Sequence, residues 1–285
     1  MGKYAQRISE RIRNTRIEEG FCLICGGYGK LSKDHVPPQG AITITAIEQK
    51  HITEAMGTEK SHLKGVVSQH GSTFKTICIE CNNERLGKND SEVSRVCKEL
   101  TNLIKTSCYN YDGTYRVISI KCDILKFSRA IIGHILAATT VAECRLKPSE
   151  TEYFSPLQRF VMGNNNALND SHDIYYWYYP RDIHLSAKMV GYNYRGNGLL
   201  MSLLAFFPIA FLIVEKGKGV YPRGAHKLVL DNSNEFLFLD MSMKESKYID
   251  FPFSKIDDYG FYLLNDSQCI ISYPIRHVSK QKKRG

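Results

Sequence analysis

The chain has 285 residues, of which 43% are hydrophobic and 24% are charged, and nine are cysteines. This length allows one large domain or two small ones, and the composition excludes a disordered chain, a collagen and a coiled coil. Nine cysteines are too few for a secreted disulfide scaffold, and the formal charge of +9 suggests an acidic partner without requiring one.

The positive charge is concentrated at the two ends of the chain. Residues 1–110 carry a net charge of +4, residues 111–275 carry none, and residues 276–285 carry +5. The neutral body therefore has no electrostatic reason to bind nucleic acid. The basic tail is either a solvated end or a sequence-independent contact to phosphates.

The chain has no obvious targeting or membrane segment. Residues 1–19 lack an apolar run, so we expect no secretory signal. Residues 199–214 are almost without polarity, but this run is shorter than the roughly 20 residues of a spanning helix, and it contains Pro208. We interpret it as core, with a buried helix ending at Phe206 and Phe207 and a strand over 209–214. We expect a cytoplasmic protein without a membrane partner, in which thiols stay reduced.

Apolar periodicity and turn residues divide the first part of the chain into short elements. In chain order we predict a helix at 4–17, a cysteine- and glycine-rich knuckle at 21–33, a proline loop at 36–40, an ambiguous excursion at 41–70, a strand at 72–77 and a helix at 92–108. Residues 110–113 are turn-like and mark a candidate domain boundary.

The second part of the chain mixes strands and helices. In chain order we predict a strand at 115–120, helices at 123–145 and 156–162, an Asn-rich loop at 163–169, and strands at 174–179, 183–190, 236–239 and 270–273. This order of elements indicates an α+β fold.

Two C-x-x-C pairs, Cys22 with Cys25 and Cys78 with Cys81, are typical of a tetrahedral four-cysteine zinc site. Each pair supplies two thiolates from one tight turn. A redox C-x-x-C would occur once, before a helix in a βαβ pattern that this chain lacks. We therefore predict a structural Zn²⁺. The other five cysteines are isolated and are expected to be small buried hydrophobes: Cys97, Cys108, Cys122, Cys144 and Cys269.

Residues with metal and acid–base chemistry lie beside these pairs. Asp34 and His35 are adjacent inside the loop, and Asn82 and Asn83 directly follow Cys81. Adjacent side chains of a strand point to opposite faces, so the carboxylate can bind a metal while the imidazole faces a water molecule. A divalent ion held by Asp34 and an Asn carbonyl would be Lewis acidic, and His35 could deprotonate a water for attack on phosphorus.

The combination of C-x-x-C, Asp-His-Val-Pro-Pro at residues 34–38 and C-x-x-C-Asn-Asn resembles the HNH (ββα-metal) endonucleases of the four-cysteine kind. The resemblance covers about residues 20–95. It implies a ββα-metal fold with His35 as general base, Asp34 and Asn82 as ligands of a catalytic Mg²⁺ or Mn²⁺, and Asn83 as the alternate ligand. It also implies hydrolysis of a DNA phosphodiester that leaves a 5′-phosphate.

One family feature is missing. The family's middle Asn, which orients the His-bearing loop just before the second Cys pair, has no counterpart in residues 72–77. Thr73 or Ser72 would have to hold the loop, unless the long insert shifts the register. Contacts to nucleic-acid phosphates are expected from Lys33, Arg85 and Lys88, although residues 88–90 also suit a solvated helix start.

Other chemistry-bearing residues favour structural interpretations. His51, His62 and His70 have no evident partners and are expected at the surface, while His134 lies in an apolar helix and is expected in the core. The aromatic run at 175–179 could stack on bases, but alternate rings of a strand must face a core, and we expect core.

The sequence thus predicts a zinc-stapled HNH domain at residues 1–110, a mixed α+β domain at 111–275 and a basic tail at 276–285. We expect DNA as partner, with RNA not excluded, and possible homo-oligomerisation through the second domain. Similar stand-alone HNH proteins often belong to bacterial or phage conflict systems, so the resemblance also implies a defence or mobile-element role. Two alternatives remain: a non-catalytic zinc ribbon that binds nucleic acid, and a regulatory protein whose zinc supports an interface.

Overall fold

The computed structural model describes residues 8, 16–56, 65–109, 117–194, 196–231, 235–242, 246–253, 260–265 and 268–275. The predicted helix at 4–17 lies largely outside the described residues, and the basic tail at 276–285 lies wholly outside them. The fold is mixed α+β and consists mostly of antiparallel sheet.

The strands are β1 Glu19–Phe21, β2 Tyr28–His35, β3 Ile47–His51, β4 Val66–Ser68, β5 Thr73–Cys78, β6 Val117–Lys121, β7 His172–Tyr178, β8 His184–Tyr194, β9 Asn197–Phe206, β10 Ile209–Glu215, β11 His226–Leu228, β12 Phe236–Asp240, β13 Gly260–Leu264 and β14 Cys269–Pro274. The α-helices are α1 Ile52–Met56, α2 Gly87–Tyr109, α3 Ile124–Ala137, α4 Phe154–Val161 and α5 Ser246–Ile249. Short 3-10 helices cover Gln39–Ala41 and Val141–Arg145, and a π-helical stretch, Cys81–Leu86, leads into α2. None of the described helices is both long and apolar enough to cross a membrane.

The predicted strands at 72–77 and 183–190 and the predicted helix at 92–108 are confirmed as β5, β8 and α2. The helix predicted over residues 123–145 is shorter, because α3 ends at Ala137. Thr139, Thr140 and Val141 follow, and β-branched residues restrict the helical rotamers. The Thr140 hydroxyl instead accepts from the Ala142 amide and caps the 3-10 helix.

Near the N-terminus, a three-stranded antiparallel sheet has the order β1-β2-β5. The chain leaves β5 and enters the π-helical stretch almost at once, so two paired strands are followed directly by a helix. This sheet carries both C-x-x-C pairs and the Asp34-His35 dipeptide.

The largest sheet follows the path β11-β7-β10-β9-β8-β14-β3-β4, with β13 paired to β8. Alternate residues of its central strands enter two separate cores: Phe211 and Ile213 enter one, Leu212 and Val214 the other. Burial on both faces removes the alternation of polar and apolar residues. The buried helix predicted to end at Phe206 is therefore wrong, and residues 197–215 form the hairpin β9–β10 instead.

Residues 41–70, ambiguous in the sequence, add β3 and β4 to the edge of this large sheet through the pairing of β14 with β3. His51 ends β3 and is only 3% exposed, so its expected surface position is wrong. Pairing with β14 places it between strands. His62 lies outside the described residues.

The main core is shared by both parts of the chain. It contains Phe74 and Val93 from the first 110 residues, together with Phe127, Phe206 and Ile213 from the rest. Helix α3 lies between them and packs on α2 and on the large sheet. The predicted boundary near residue 110 remains a prediction, but no separate core for residues 16–109 is evident among the described residues.

Candidate functional site

The four predicted zinc ligands lie together. The sulfur atoms of Cys22, Cys25, Cys78 and Cys81 are all within 4.8 Å of one another. The Cys25 and Cys78 sulfurs are 3.8 Å apart, and a tetrahedron with Zn–S bonds of ~2.3 Å has edges of about 3.8 Å. The four thiols are thus positioned to hold one metal ion, and their chemistry fits a structural zinc.

Both knuckles turn their backbone amides toward sulfur. The Gly27 amide donates to Cys25 Sγ at 3.5 Å, and the Cys81 amide donates to Cys78 Sγ at 3.4 Å. Gly26 has a φ of +70°, which lets the first knuckle close with the Gly26 amide on the Cys22 carbonyl. Amides directed at sulfur stabilise the thiolate form that a metal requires.

The thiols also act on one another electrostatically. A hydrogen bond from the Cys81 thiol lowers the pKa of Cys22 to about 5 and raises the pKa of Cys81. Burial raises the pKa of Cys25 to about 11. A bound cation would allow all four to ionise together, because it offsets the repulsion between neighbouring thiolates.

Asp34 and His35 occupy opposite faces at the end of β2. Asp34 is 4% exposed, while His35 is half-buried. Opposite Lys33, β5 carries a bulge in which Lys75 and Thr76 stand against one residue of β2. The expected separation of the carboxylate from the imidazole is therefore present, with the carboxylate on the inner face.

The imidazole of His35 is held by a backbone carbonyl. Its Nε2 lies 3.1 Å from the carbonyl oxygen of His70. Because a carbonyl only accepts, Nε2 carries the proton and Nδ1 is the acceptor. The described residues give Nδ1 no donor. Gly71 follows with a φ of +73°, a conformation that favours glycine in the turn presenting this carbonyl.

The two residues expected to orient the loop, Ser72 and Thr73, lie beside it. Thr73 pairs with His35 in the β-ladder, and the Ser72 carbonyl accepts from the Val36 amide at 3.0 Å. The Ser72 hydroxyl accepts from Gln49 at 2.7 Å instead of contacting the His35 loop. The contact that orients the imidazole comes from the His70 backbone, which no side-chain pattern in the sequence could indicate.

Asn82 is the second residue of the π-helical stretch, and its side chain contacts β2. Its Nδ2 donates to the Ser32 hydroxyl at 2.8 Å and to the Lys33 carbonyl at 2.7 Å. The amide oxygen of Asn82 has no donor among the described residues. Asn83 is exposed and makes no such contact with β2 among the described residues. Asn82 rather than Asn83 is thus tied to the strand that carries Asp34.

The buried side chain of His134 contacts Asp34. His134, in the last turn of α3 and fully buried, places Nδ1 2.9 Å from Asp34 Oδ2 and Nε2 2.8 Å from Asp90 Oδ1. Its expected core position is confirmed. Burial alone would lower the pKa of His134, but the carboxylates of Asp34 and Asp90 outweigh burial and raise it to about 10.

Little in the sequence indicates this contact. His134 stands in the apolar run of a core helix, 100 residues beyond Asp34, and Asp90 looks like an ordinary helix-start acid. What does indicate it is a lone ionisable residue within an apolar helix, because such a group needs a buried polar partner.

The three residues predicted to contact phosphate differ in whether a carboxylate already pairs with them. Lys33 is exposed on the outer face of β2, the face that also carries His35. Arg85 pairs with Glu80 at 3.0 Å, and Lys88 pairs with Glu84 at 2.6 Å. Phosphate would have to displace those carboxylates, so Lys33 is the best placed of the three.

The remaining structural expectations hold for the described side chains. Cys97, Cys122, Cys144 and Cys269 are all buried. In the aromatic run, every ring except that of Tyr178 is buried, so these rings form core rather than a stacking surface.

An open groove of about 860 Å³ lies between α2, the segment after Pro38 and the β7–β8 connection. Lys98 and Lys105 of α2 line it, and neither makes an ion pair with a described residue. Arg181 also lines it, but its guanidinium is bidentate with Asp250 at 2.6 and 2.5 Å. The groove therefore offers two lysines that have no ion-pair partner among the described residues.

No protein-family model matches this chain, and searches among characterised proteins and among solved structures returned no match. The resemblance to HNH endonucleases therefore rests on the motif residues and their arrangement alone.

Proposed function

We propose that this protein is a metal-dependent endonuclease that hydrolyses nucleic-acid phosphodiester bonds at His35. The observation that carries the proposal is the His35 imidazole, whose Nε2 is fixed by the His70 carbonyl so that Nδ1 remains able to accept a proton. His35 stands one residue from a buried carboxylate and on a sheet stapled by the cysteine cluster.

The residues present fit a divalent ion of the Mg²⁺ or Mn²⁺ type. Asp34 Oδ1 and the amide oxygen of Asn82 receive no hydrogen bond from the described residues, and hard cations prefer such oxygen ligands. Asp34 and Asn82 would hold the ion, which when bound supplies a Lewis acid for the charge on the phosphate. A structural Zn²⁺ in the cysteine cluster would fix the strands that carry both side chains.

The chain's own residues would share the other tasks. His35 Nδ1 would take the proton of the attacking water, while the His70 carbonyl keeps the imidazole in the required tautomer. Lys33 would attract the phosphate backbone from the same face of β2. DNA is the favoured substrate, as the resemblance implies, and a role in defence or in a mobile element belongs to the same proposal.

The test is cleavage of supercoiled plasmid, and of a single-stranded RNA of similar length, with Mg²⁺ or Mn²⁺. His35→Ala should lower the rate by about 10²- to 10⁴-fold, the usual contribution of a general base. His70→Ala is the matched control, because it keeps the carbonyl that holds His35 and should cut within a few-fold of wild type. Equal cutting by His35→Ala and wild type would overturn the assignment of the base.

A second candidate is binding of nucleic acid without cleavage. It is favoured by the groove, whose Lys98 and Lys105 have no ion-pair partner in the part of the chain that the structure describes, and by the engagement of Asp34 with His134. This candidate predicts binding that weakens steeply between about 50 and 200 mM salt, with no cutting under any metal.

A further inference from the structure

His134 links Asp34 to a second carboxylate through both of its ring nitrogens. Nδ1 lies 2.9 Å from Asp34 Oδ2, and Nε2 lies 2.8 Å from Asp90 Oδ1. The imidazole has no exposed surface, and the Asp34 carboxylate is almost as deeply buried. Because both nitrogens are within hydrogen-bond distance of a carboxylate, the ring cannot rotate about its χ angles without losing a contact.

Packing alone does not require a histidine at this position. Its neighbours in α3, Ile131, Ile132 and Ile135, are all apolar and buried. Replacing buried ionic groups by apolar side chains of similar size is often neutral or stabilising. An ionisable group held here between two carboxylates therefore suggests a task beyond filling space.

Asp34 needs such a partner if it is to bind a metal in one orientation. It stands at the end of β2, and its Oδ1 receives no hydrogen bond from the described residues. The contact from His134 is thus what fixes the torsion of the carboxylate. Ligand carboxylates are commonly oriented by a hydrogen bond of this kind, and its loss typically weakens metal binding by about 10- to 100-fold.

We propose that His134 is a positioning residue, which fixes the Asp34 carboxylate through Nδ1, is itself fixed by Asp90 through Nε2, and so directs Asp34 Oδ1 toward a divalent ion. The proposal rests on the proposed function, since it assumes that Asp34 is a metal ligand. It also gives residues 111–275 a part in the site, because α3 belongs to them.

The test is direct measurement of Mn²⁺ binding to the full-length, zinc-loaded protein by the electron paramagnetic resonance signal of free Mn²⁺. His134→Leu should raise the dissociation constant by about 10- to 100-fold. His134→Asn keeps a donor near the position of Nδ1 and should recover most of that loss. Ile131→Val is the matched control: it alters the same buried helix without touching Asp34 and should bind Mn²⁺ like wild type.

Asp90→Asn provides a second variant should His134→Leu fail to fold, because the Asp90 side chain is 27% exposed and can be changed without opening the core. It should weaken Mn²⁺ binding several-fold, because it replaces the charged contact on the far side of the imidazole by a weaker neutral one. Wild-type affinity in folded His134→Leu or, if that variant does not fold, in Asp90→Asn would overturn the positioning role.

The outcome for wild type separates the two proposals. A wild-type protein that neither binds Mn²⁺ nor cuts nucleic acid contradicts the proposed function, and the positioning role falls with it. A wild-type protein that binds and cuts, with unchanged affinity in the His134 variants, contradicts the positioning role only.

Discussion

Buried histidines in this protein differ according to the charges that face them. His134 lies between two carboxylates, and they raise its pKa despite burial. His172 lies at the start of β7 with its ring against Tyr153, and burial lowers its pKa to about 4. Its Nδ1 is 2.8 Å from the Ser171 hydroxyl, while its Nε2 has no hydrogen-bond partner among the described residues. The same residue type thus has a raised pKa in one place and a lowered pKa in the other.

His172 should make the protein less stable in acid. Its pKa is about 4 when folded against 6.5 when exposed, so the unfolded chain binds the additional proton between these values. The contribution of His172 to stability is therefore fully present above pH 6.5. It is lost as the pH drops toward 4, which lowers the free energy of unfolding by at most about 3 kcal/mol. His172→Phe should flatten the dependence of the urea midpoint on pH over that range.

Burial also lowers the pKa of His184 to about 4. Part of the pH dependence of stability should therefore remain in His172→Phe. The exposed His70→Phe is the control and should leave the profile as in wild type. An unchanged slope in His172→Phe would contradict the assignment.

At the scale of elements, the two knuckles join strands that are distant in sequence. Cys22 and Cys25 lie between β1 and β2, whereas Cys78 ends β5 and Cys81 begins the helical stretch that also carries Asn82. A metal ion held by the cluster would therefore fix the strand carrying His35 against the helix carrying Asn82. Besides its two knuckles, this small sheet packs on α3 and the main core on one side and, through Leu31, on Cys144 of the 3-10 helix Val141–Arg145.

Removal of one cysteine should release the metal and loosen this sheet. Wild type should contain about one zinc per chain, and Cys22→Ala much less. The free energy of unfolding should fall by several kcal/mol, on the order expected when metal binding contributes to folding. The measurements are elemental analysis and thermal unfolding with and without a chelator.

Cys97→Ala is the matched control, since it removes a buried thiol of α2 outside the cluster. It should keep its zinc and lose only about 1–2 kcal/mol through the cavity. Full zinc content in Cys22→Ala would show that the cluster is not the zinc site.

At the scale of the whole molecule, one core connects the cysteine-bearing sheet to the large sheet. Phe127 of α3 packs against Phe211 of β10 with ring centroids 5.3 Å apart, while Gly133 of the same helix allows the close approach of Leu86. A Cβ at position 133 would lie 2.1 Å from Leu86 Cδ2. Helix α3 therefore couples the two parts by direct packing on both sides.

We expect the full chain to unfold in one cooperative transition. Trp177, the single Trp, reports on the large sheet by fluorescence, and zinc release to a chromogenic chelator reports on the knuckles. The two urea midpoints should coincide. Phe127→Ala should lower the free energy of unfolding by about 3–5 kcal/mol and so shift both midpoints downward together. Separate midpoints would instead support two independently folding domains.

Local patterns in the sequence predicted a useful part of this protein. The two C-x-x-C pairs predicted a four-cysteine cluster, since two short spacings restrict which thiols can meet. Alternation and helical periodicity predicted β5 and α2, whose exposed and buried faces differ. The placement of Asp34 and His35 on opposite faces followed from strand geometry alone.

Other features were decided only by tertiary structure. The β9–β10 hairpin lacks a readable period because both of its faces are buried, and the pairing of β3 with β14 joins residues more than 200 positions apart. The contacts of His35 with the His70 carbonyl and of Asp34 with His134 depend on how a turn and a helix pack against β2. A sequence records which groups can ionise or bind metal, but the partner that orients each group is set by packing between distant segments, and that partner determines its charge and its direction.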